Sequence, residues 1–271
     1  MMDWRLSRRD VWFMVDTLMP QRRDKDRVVD AIRDDERFVE AMLEDDRLFQ
    51  RLMSGEEILV QVSPWLLFDV LLRRARRDLR VETYTTERRK LQKVVLFDTG
   101  QVTDLLERED LRDYLVRTMV SFTRIESRTV RVRVRKNLWR RYRTSELDVE
   151  GMMRYSQAVD EPFRFEPYRR IGDVCLFLSG LFPSAIETTH RYPLSGQVRP
   201  GARARTVASL EDYEAHGQAF YRLASEHRMA EVQGLDTVLE VLSERFILAE
   251  KALGFVADRY LGLIKHQLFE L

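Results

Sequence analysis

The chain has a single cysteine among its 271 residues. One cysteine excludes a disulfide within the chain and a metal site built from several thiolates. Cys175 falls inside an apolar helical pattern, where a free cysteine usually behaves as a small hydrophobic residue. We therefore expect a buried, unreactive thiol.

Long apolar segments are also missing. The longest stretch without a charged residue, 174–186, is shorter than the ~20 residues that a helix needs to cross a bilayer. The N-terminus, MMDWRLSRRD, lacks the apolar segment of a signal peptide. These features predict a cytoplasmic protein without a membrane partner.

Motifs of well-known active sites are absent from the sequence. It contains no HExxH, GxSxG, Walker A or GxGxxG pattern. Glu187 and His190 have the Glu-x-x-His spacing of di-iron bundles, but that chemistry needs a second such pair, and Pro183 and Pro193 leave little helix for the first. We assign no catalytic residue, no cofactor and no metal ligand. Catalysis stays open, because dispersed carboxylates would leave no such motif.

Charge, by contrast, is abundant. Charged residues make up 34% of the chain, above the roughly 25% of an average domain, yet the net charge is only +1. Arginine outnumbers lysine by 40 to 6. The chain as a whole is neither a polyanion nor a polycation, so a charged binding surface must be local.

The strongest helical pattern covers residues 168–182. Its apolar residues recur in steps of three and four, and its second half is apolar nearly all round, which is typical of a helix at the centre of a bundle. Gly172, Cys175 and Ser179 form a narrow strip of small residues along it. Because glycine inside a helix costs about 1 kcal/mol relative to alanine, we expect another helix to pack closely against this strip.

A candidate polar group lies on the same helix. Asp173 follows Arg169 and Arg170 at spacings of four and three residues, within reach of both side chains. We favour a surface ion pair, which contributes roughly a few tenths of a kcal/mol. The alternative is a polar group at the mouth of a ligand pocket.

Most of the other patterns are helical. Ser63 and Pro64 mark a helix start, and residues 87–97 and 111–122 also have apolar residues at helical spacing. Nine apolar positions from Leu235 to Leu263 alternate steps of four and three, which predicts a long C-terminal helix. Residues 129–135 alternate strictly, as a β-strand does, and 138–142 follow as a return strand.

These patterns predict a mainly α protein: a multi-helix bundle with a long C-terminal helix and one small β-hairpin. We divide the chain into an N-terminal helical region (1–125), a basic hairpin with a linker (126–165) and a C-terminal helical region (166–271). We expect the first and third regions to form one compact unit.

The strongest local charge lies in residues 124–143, which hold eight arginines and one lysine against a single acid, a net charge of +8. Arginines with interleaved aromatic residues suit a phosphate backbone and stacked bases. We favour the alternative that these arginines pair with acidic helices of the same chain, such as residues 34–44. The candidate macromolecule-binding residues are Arg128, Arg131, Arg133, Arg135, Lys136, Trp139, Arg140, Arg141 and Arg143.

Two segments carry a resemblance to a known group of proteins. RRIGDVCLFLSGLF, followed later by YEAHGQAFYRLA, resembles a bacterial family of uncharacterised proteins, and SPWLLFDVLLRRA is a weaker N-terminal match. The resemblance covers the C-terminal half best. It implies a bacterial, cytoplasmic origin. It implies no activity, ligand or catalytic residue for this chain, because none is known for that family.

We therefore expect a non-catalytic cytoplasmic interaction or scaffold protein that docks a macromolecular partner, a protein in the first place, through charged helix faces. The alternative is a nucleic-acid-binding protein that uses residues 124–143. A third hypothesis is an enzyme or small-ligand sensor without a recognisable motif. A homo-oligomer is compatible with all three.

Overall fold

The structure is a computed structural model, and it describes residues 6–32, 35–54, 61–89, 92–96, 98–123, 128–135, 138–144, 147–190, 209–262 and 264–269. In the strands, side chains are described only at Thr85 and Leu96. The side chains of residues 188–190 are also outside the description.

Helices make up most of the described chain, and the prediction of a mainly α protein is confirmed. The first half contains α1 (Arg8–Leu18), α2 (Lys25–Ile32), α3 (Glu36–Leu43), α4 (Asp46–Ser54), α5 (Pro64–Leu79), α6 (Thr99–Glu107) and α7 (Glu109–Ser121). The second half contains α8 (Val149–Ala158), α9 (Phe165–Leu181), α10 (Pro183–His190), α11 (Leu210–Ser225), α12 (Arg228–Gln233), α13 (Asp236–Glu244), α14 (Phe246–Val256), a π-helix (Ala257–Leu261) and α15 (Ile264–Leu268). Among the residues described, no helix has both the length and the apolar character needed to cross a membrane.

The backbone also forms two antiparallel strand pairs: β1 (Thr85–Arg89) with β2 (Gln92–Leu96), and β3 (Arg128–Arg135) with β4 (Leu138–Thr144). The prediction of one hairpin is therefore not confirmed as stated. The helix predicted over residues 87–97 is wrong, because most of that segment belongs to the first strand pair. Its valines are β-branched, and such residues favour a strand over a helix.

Helix starts follow local capping chemistry. Ser7 Oγ accepts a hydrogen bond from Asp10 N at 3.1 Å, and the Asp10 carboxylate accepts one from Ser7 N at 2.8 Å, which completes a capping box. Ser63 caps α5 with its hydroxyl, which accepts a hydrogen bond from Leu66 N at 3.2 Å. Ser63 N in turn donates to Asp10 at 2.7 Å, so the buried Asp10 ties the start of α5 to α1.

The apolar side chains form two clusters. One cluster joins α1 to α4 with the first turns of α5, through Leu66 and Val70. The larger cluster surrounds α9, whose Phe177 is fully buried, and includes residues of α5, α6, α7, α11, α13 and α14. Helix α5 contributes to both clusters and therefore connects the N-terminal helices to the rest of the core.

Glycines allow the helices around α9 to approach closely, as the strip of small residues predicted. A Cβ atom at Gly172 would lie 2.6 Å from the ring of Tyr221 on α11. On the facing helix, a Cβ at Gly217 would lie 2.2 Å from the ring of Phe246 and 3.1 Å from the Cβ of Cys175. Cys175 is fully buried, as expected. The rings of Tyr221 and Phe246 therefore occupy the space that a side chain at Gly172 or Gly217 would fill.

We expect Gly217→Ala to lower the free energy of unfolding by about 1–3 kcal/mol, because the added methyl group must displace a buried ring. Gly254→Ala is the matched control: its Cβ would meet Gly180 O at an ordinary 3.5 Å, so helix propensity should stabilise it by up to about 1 kcal/mol. Urea unfolding of both variants measures the difference. Equal effects at the two sites would contradict the close approach at Gly217.

The predicted long C-terminal helix is wrong as a continuous element. It breaks at Arg245, passes into the π-helix after Val256, and breaks again at Gly262, whose φ of +46° suits glycine. Helix α13 packs mainly on α11 and helix α14 on α9, so the segment changes partner at the first break. Seven of the nine predicted positions are nonetheless buried: Leu239, Leu242, Phe246, Ala249, Leu253, Val256 and Tyr260. Leu235 is half-buried, and Leu263 lies outside the described residues.

Candidate functional site

The basic residues that the sequence singled out lie mainly on the β3–β4 ribbon. Arg128, Arg131, Arg133 and Arg135 belong to β3, and Trp139, Arg140, Arg141 and Arg143 belong to β4. Lys136 lies outside the described residues. The structure therefore brings most of the predicted set onto two paired strands.

The backbone register determines which of these residues share a face of the ribbon. Arg131 pairs with Arg141 and Arg133 with Trp139, whereas two valines pair with Tyr142 and Arg140. Cross-strand partners lie on the same face, and faces alternate along each strand. One face thus carries a set that we call the basic face: Arg131, Arg133, Trp139, Arg141 and Arg143.

Helix α8 packs against both strands of this ribbon. Its sequence carries one acid and one base, Glu150 and Arg154, and these two form a long ion pair of 3.8 Å with each other. Helix α8 therefore adds no net negative charge beside the ribbon.

Two of the acidic residues in 34–44, the segment that we expected to neutralise the ribbon, bind arginines of α5. Glu40 accepts hydrogen bonds from both terminal nitrogens of Arg73, at 2.6 and 2.9 Å. Glu44 accepts one from Arg76 at 2.6 Å. Asp46 of α4 binds Arg74 and Arg77 in a similar way, at 2.6 and 2.8 Å. Asp34 lies outside the described residues.

Arg73 is the centre of this charged network and is only 3% exposed. Its Nε donates to the buried Asp69 at 2.8 Å. Burial alone would lower the pKa of Arg73, but the charges of Asp69 and Glu40 outweigh it and raise that pKa. For Asp69 the balance is reversed: burial raises its pKa more than Arg73 lowers it. The network therefore holds a charged guanidinium inside the protein by surrounding it with carboxylates.

Asp173, the candidate pocket group, is 1% exposed and lies at the junction of three helices. Its Oδ1 accepts hydrogen bonds from Tyr114 Oη of α7 at 2.6 Å and from Tyr221 Oη of α11 at 3.0 Å. Its Oδ2 accepts one from Arg169 at 3.1 Å. The favoured interpretation as a surface ion pair is wrong, because Asp173 lies on the side of α9 that packs into the core.

Arg169 and Arg170, which we predicted to lie beside Asp173, have different partners in the structure. Arg169 binds Asp173 and also donates to Glu166 at 2.7 Å, so the network extends from the core to the exposed first turn of α9. Arg170 donates to Ser121 at 2.7 Å, and its guanidinium lies 3.9 Å from the centre of the Phe122 ring. The structure thus joins Arg169 with Asp173 and directs Arg170 to α7.

Burial and the charge of Asp173 raise the pKa of both Tyr114 and Tyr221 well above the ordinary value. Both hydroxyls therefore remain protonated donors at neutral pH. Burial, and then Asp173, also raises the pKa of Cys175, so its thiol stays neutral and unreactive. This arrangement holds three helices together and offers no activated nucleophile.

Sequence reasoning missed the two tyrosine partners. They lie 59 and 48 residues from Asp173 along the chain. The available signal was Gly172, which leaves room for the ring of Tyr221 directly beside Asp173. Nothing comparable in the sequence identifies Tyr114.

The Glu187–His190 pair lies partly outside the described residues, because the side chain of His190 is not described. Among the described side chains, no group of three or more histidine, cysteine, aspartate or glutamate residues is arranged to hold a metal ion.

Comparison with protein-family models, curated proteins and solved structures gave no match for this chain.

Proposed function

We propose that the protein is a non-catalytic binding protein that docks nucleic acid through the basic face of the β3–β4 ribbon. The main support for this proposal is the register of β3 and β4, which places Arg131 directly opposite Arg141. Like charges at opposite positions destabilise a strand pair. A polyanion bound across this face would remove that repulsion.

The distribution of charge supports the same proposal. Residues 124–143 carry +8 while the whole chain carries +1, which leaves −7 for the remaining residues. A phosphate backbone is therefore attracted to the ribbon and repelled by the rest of the surface, which would orient the bound partner. A two-stranded ribbon fits the major groove of a duplex, and Trp139 suits stacking on the bases of a single strand.

Docking of a protein partner through charged helix faces, which the sequence favoured, is the weaker proposal. The arginines of α5 are bound to Glu40, Glu44 and Asp46 of the same chain, so this face has fewer charges to offer. A cytoplasmic location belongs to the proposal as well.

The test is a titration of a labelled mixed-sequence duplex and a labelled single strand by fluorescence anisotropy, at about 50 and 200 mM salt. We expect affinity to fall steeply with salt. The triple variant Arg131→Gln, Arg133→Gln, Arg141→Gln should bind more weakly. Its salt slope should be flatter by about 0.9 for each phosphate that is no longer neutralised on a duplex, or by about 0.7 on a single strand.

The matched control changes three exposed, paired arginines elsewhere, Arg8→Gln, Arg22→Gln and Arg222→Gln. It alters net charge equally and should keep most of the affinity. No binding by the wild-type chain at low salt, or an equal decrease of affinity in both triple variants, would refute the proposal. A lower melting temperature of the ribbon variant with unchanged affinity would instead indicate that its arginines pair with carboxylates of the same chain.

A further inference from the structure

A cleft of about 190 Å³ lies between the start of β1 and the C-terminal end of α14. One wall is formed by Glu82, Tyr84 and Thr85, and the other by Lys251, Phe255 and the first residues of the π-helix. This volume is below the roughly 300–1,000 Å³ of pockets that hold drug-sized ligands, so the cleft suits a smaller molecule.

The π-helix shapes the rim of this cleft. Its wider turn is closed by a hydrogen bond from Gly262 N to Ala257 O at 3.0 Å, across five residues. Such turns are rare in proteins and occur frequently at functional sites. Here the turn presents Asp258 and Arg259, both exposed, while the residues on either side of them are buried.

The two ends of the cleft differ in how firmly their charges are held. At the inner end, Lys251 and the Thr85 hydroxyl both donate to Asp98. Burial raises the pKa of Asp98, but these hydrogen bonds and the charge of Lys251 outweigh it and lower that pKa. At the rim, Arg259 and Glu82 are 3.5 Å apart, with 56% and 31% of their side chains exposed. The rim pair is therefore weak and can exchange partners with a ligand.

The charges that line the cleft indicate the class of ligand. Because Lys251 already donates to Asp98, a ligand at the rim meets mainly Arg259, which is positive, and Glu82 and Asp258, which are negative. A ligand with a single charge would satisfy only one sign, whereas a small zwitterion satisfies both. Phe255 and the half-exposed Tyr84 add apolar surface beside these charges.

We propose that the cleft binds a free α-amino acid. Its carboxylate binds Arg259, whose planar guanidinium suits two parallel hydrogen bonds to a carboxylate. Its ammonium group binds Asp258, and its side chain lies against Phe255 and Tyr84. This site is separate from the basic face, and its test is independent of nucleic-acid binding.

The experiment is a thermal-shift screen of the twenty free L-amino acids at about 10 mM, followed by calorimetric titration of those that raise the melting temperature. At a hundredfold excess over Kd, the ligand should raise the melting temperature by about 5 °C. N-acetyl amino acids lack the ammonium group and simple amines lack the carboxylate, so both should fail to bind.

Variants of the rim complete the test. Arg259→Gln and Asp258→Asn should each weaken binding about tenfold or more, because each removes one charged partner. Both side chains are exposed, so the variants should fold normally. Arg222→Gln, from an exposed arginine–glutamate pair on α11, is the matched control and should leave affinity unchanged. Absence of saturable binding by any amino acid, binding of amines or N-acetyl derivatives alone, or affinity unaffected by Arg259→Gln would each overturn the proposal.

Discussion

Replacing Asp173 with alanine is expected to lower the free energy of unfolding by about 3–5 kcal/mol. The variant removes the acceptor for two buried tyrosine hydroxyls and for Arg169. Buried donors without a partner lose their hydration and gain nothing in return. Urea unfolding followed by far-UV circular dichroism measures the decrease. Tyr221→Phe, which removes one donor and leaves the others bound, should cost about 1–3 kcal/mol.

A rescue variant separates the effect of the hydrogen bonds from the effect of packing. Combining Asp173→Leu with Tyr114→Phe and Tyr221→Phe removes acceptor and hydroxyl donors together, so it should recover part of the stability that Asp173→Ala removes. Glu226→Ala is the control, since Glu226 belongs to an exposed ion pair and should contribute at most about 0.5 kcal/mol. A decrease below about 1 kcal/mol for Asp173→Ala would show that this network does not hold α7, α9 and α11 together.

The second large effect is expected for Arg73→Met. This change leaves the buried Asp69 without its cation and should lower the free energy of unfolding by about 3–5 kcal/mol near neutral pH. Replacing both members, as Asp69→Leu with Arg73→Met, should recover much of that stability, because the unpaired buried charge is gone. Arg222→Met, at an exposed ion pair, is the control.

The pH dependence of Arg73→Met provides a further check. Burial raises the pKa of Asp69 above its ordinary value of 3.8, and Arg73 opposes that rise. A carboxyl whose pKa is raised in the folded state stabilises the fold fully below its unfolded pKa, and this contribution is lost as pH rises through the folded pKa. Without Arg73 the pKa of Asp69 rises further, so the variant should regain stability on acidification. A stability difference from the wild type that does not shrink between about pH 8 and pH 4 would contradict this account.

Several elements could be predicted from the sequence because they depend on neighbouring residues. The cap at Ser63 needs only a hydroxyl and the next turn of backbone. The apolar period of residues 168–182 identified the central helix, and Gly172 marked a place where another helix packs closely. The C-terminal heptad predicted which residues are buried, although it did not predict where the helix breaks.

The candidate sites were predicted only in part. The alternation of residues 129–135 indicated a strand, and the backbone register then paired Arg131 with Arg141. The cleft beside the π-helix left no signal in the sequence, because β1 and α14 are more than 150 residues apart. A π-helix has the same composition as an α-helix and is recognised only from its hydrogen bonds.

By itself the sequence determined the class of the fold, the helix start at Ser63 and most of the buried apolar positions, because backbone stereochemistry and hydrophobic periodicity act over a few residues. Only the tertiary structure decided how the charges are used. Glu40 was free to pair with any nearby arginine, and the packing of α3 on α5 selected Arg73. Asp173 became a buried anchor because α7 and α11 each bring a tyrosine to it. Charge–charge contacts of this kind depend on which helices are neighbours in space, and a linear pattern does not contain that information.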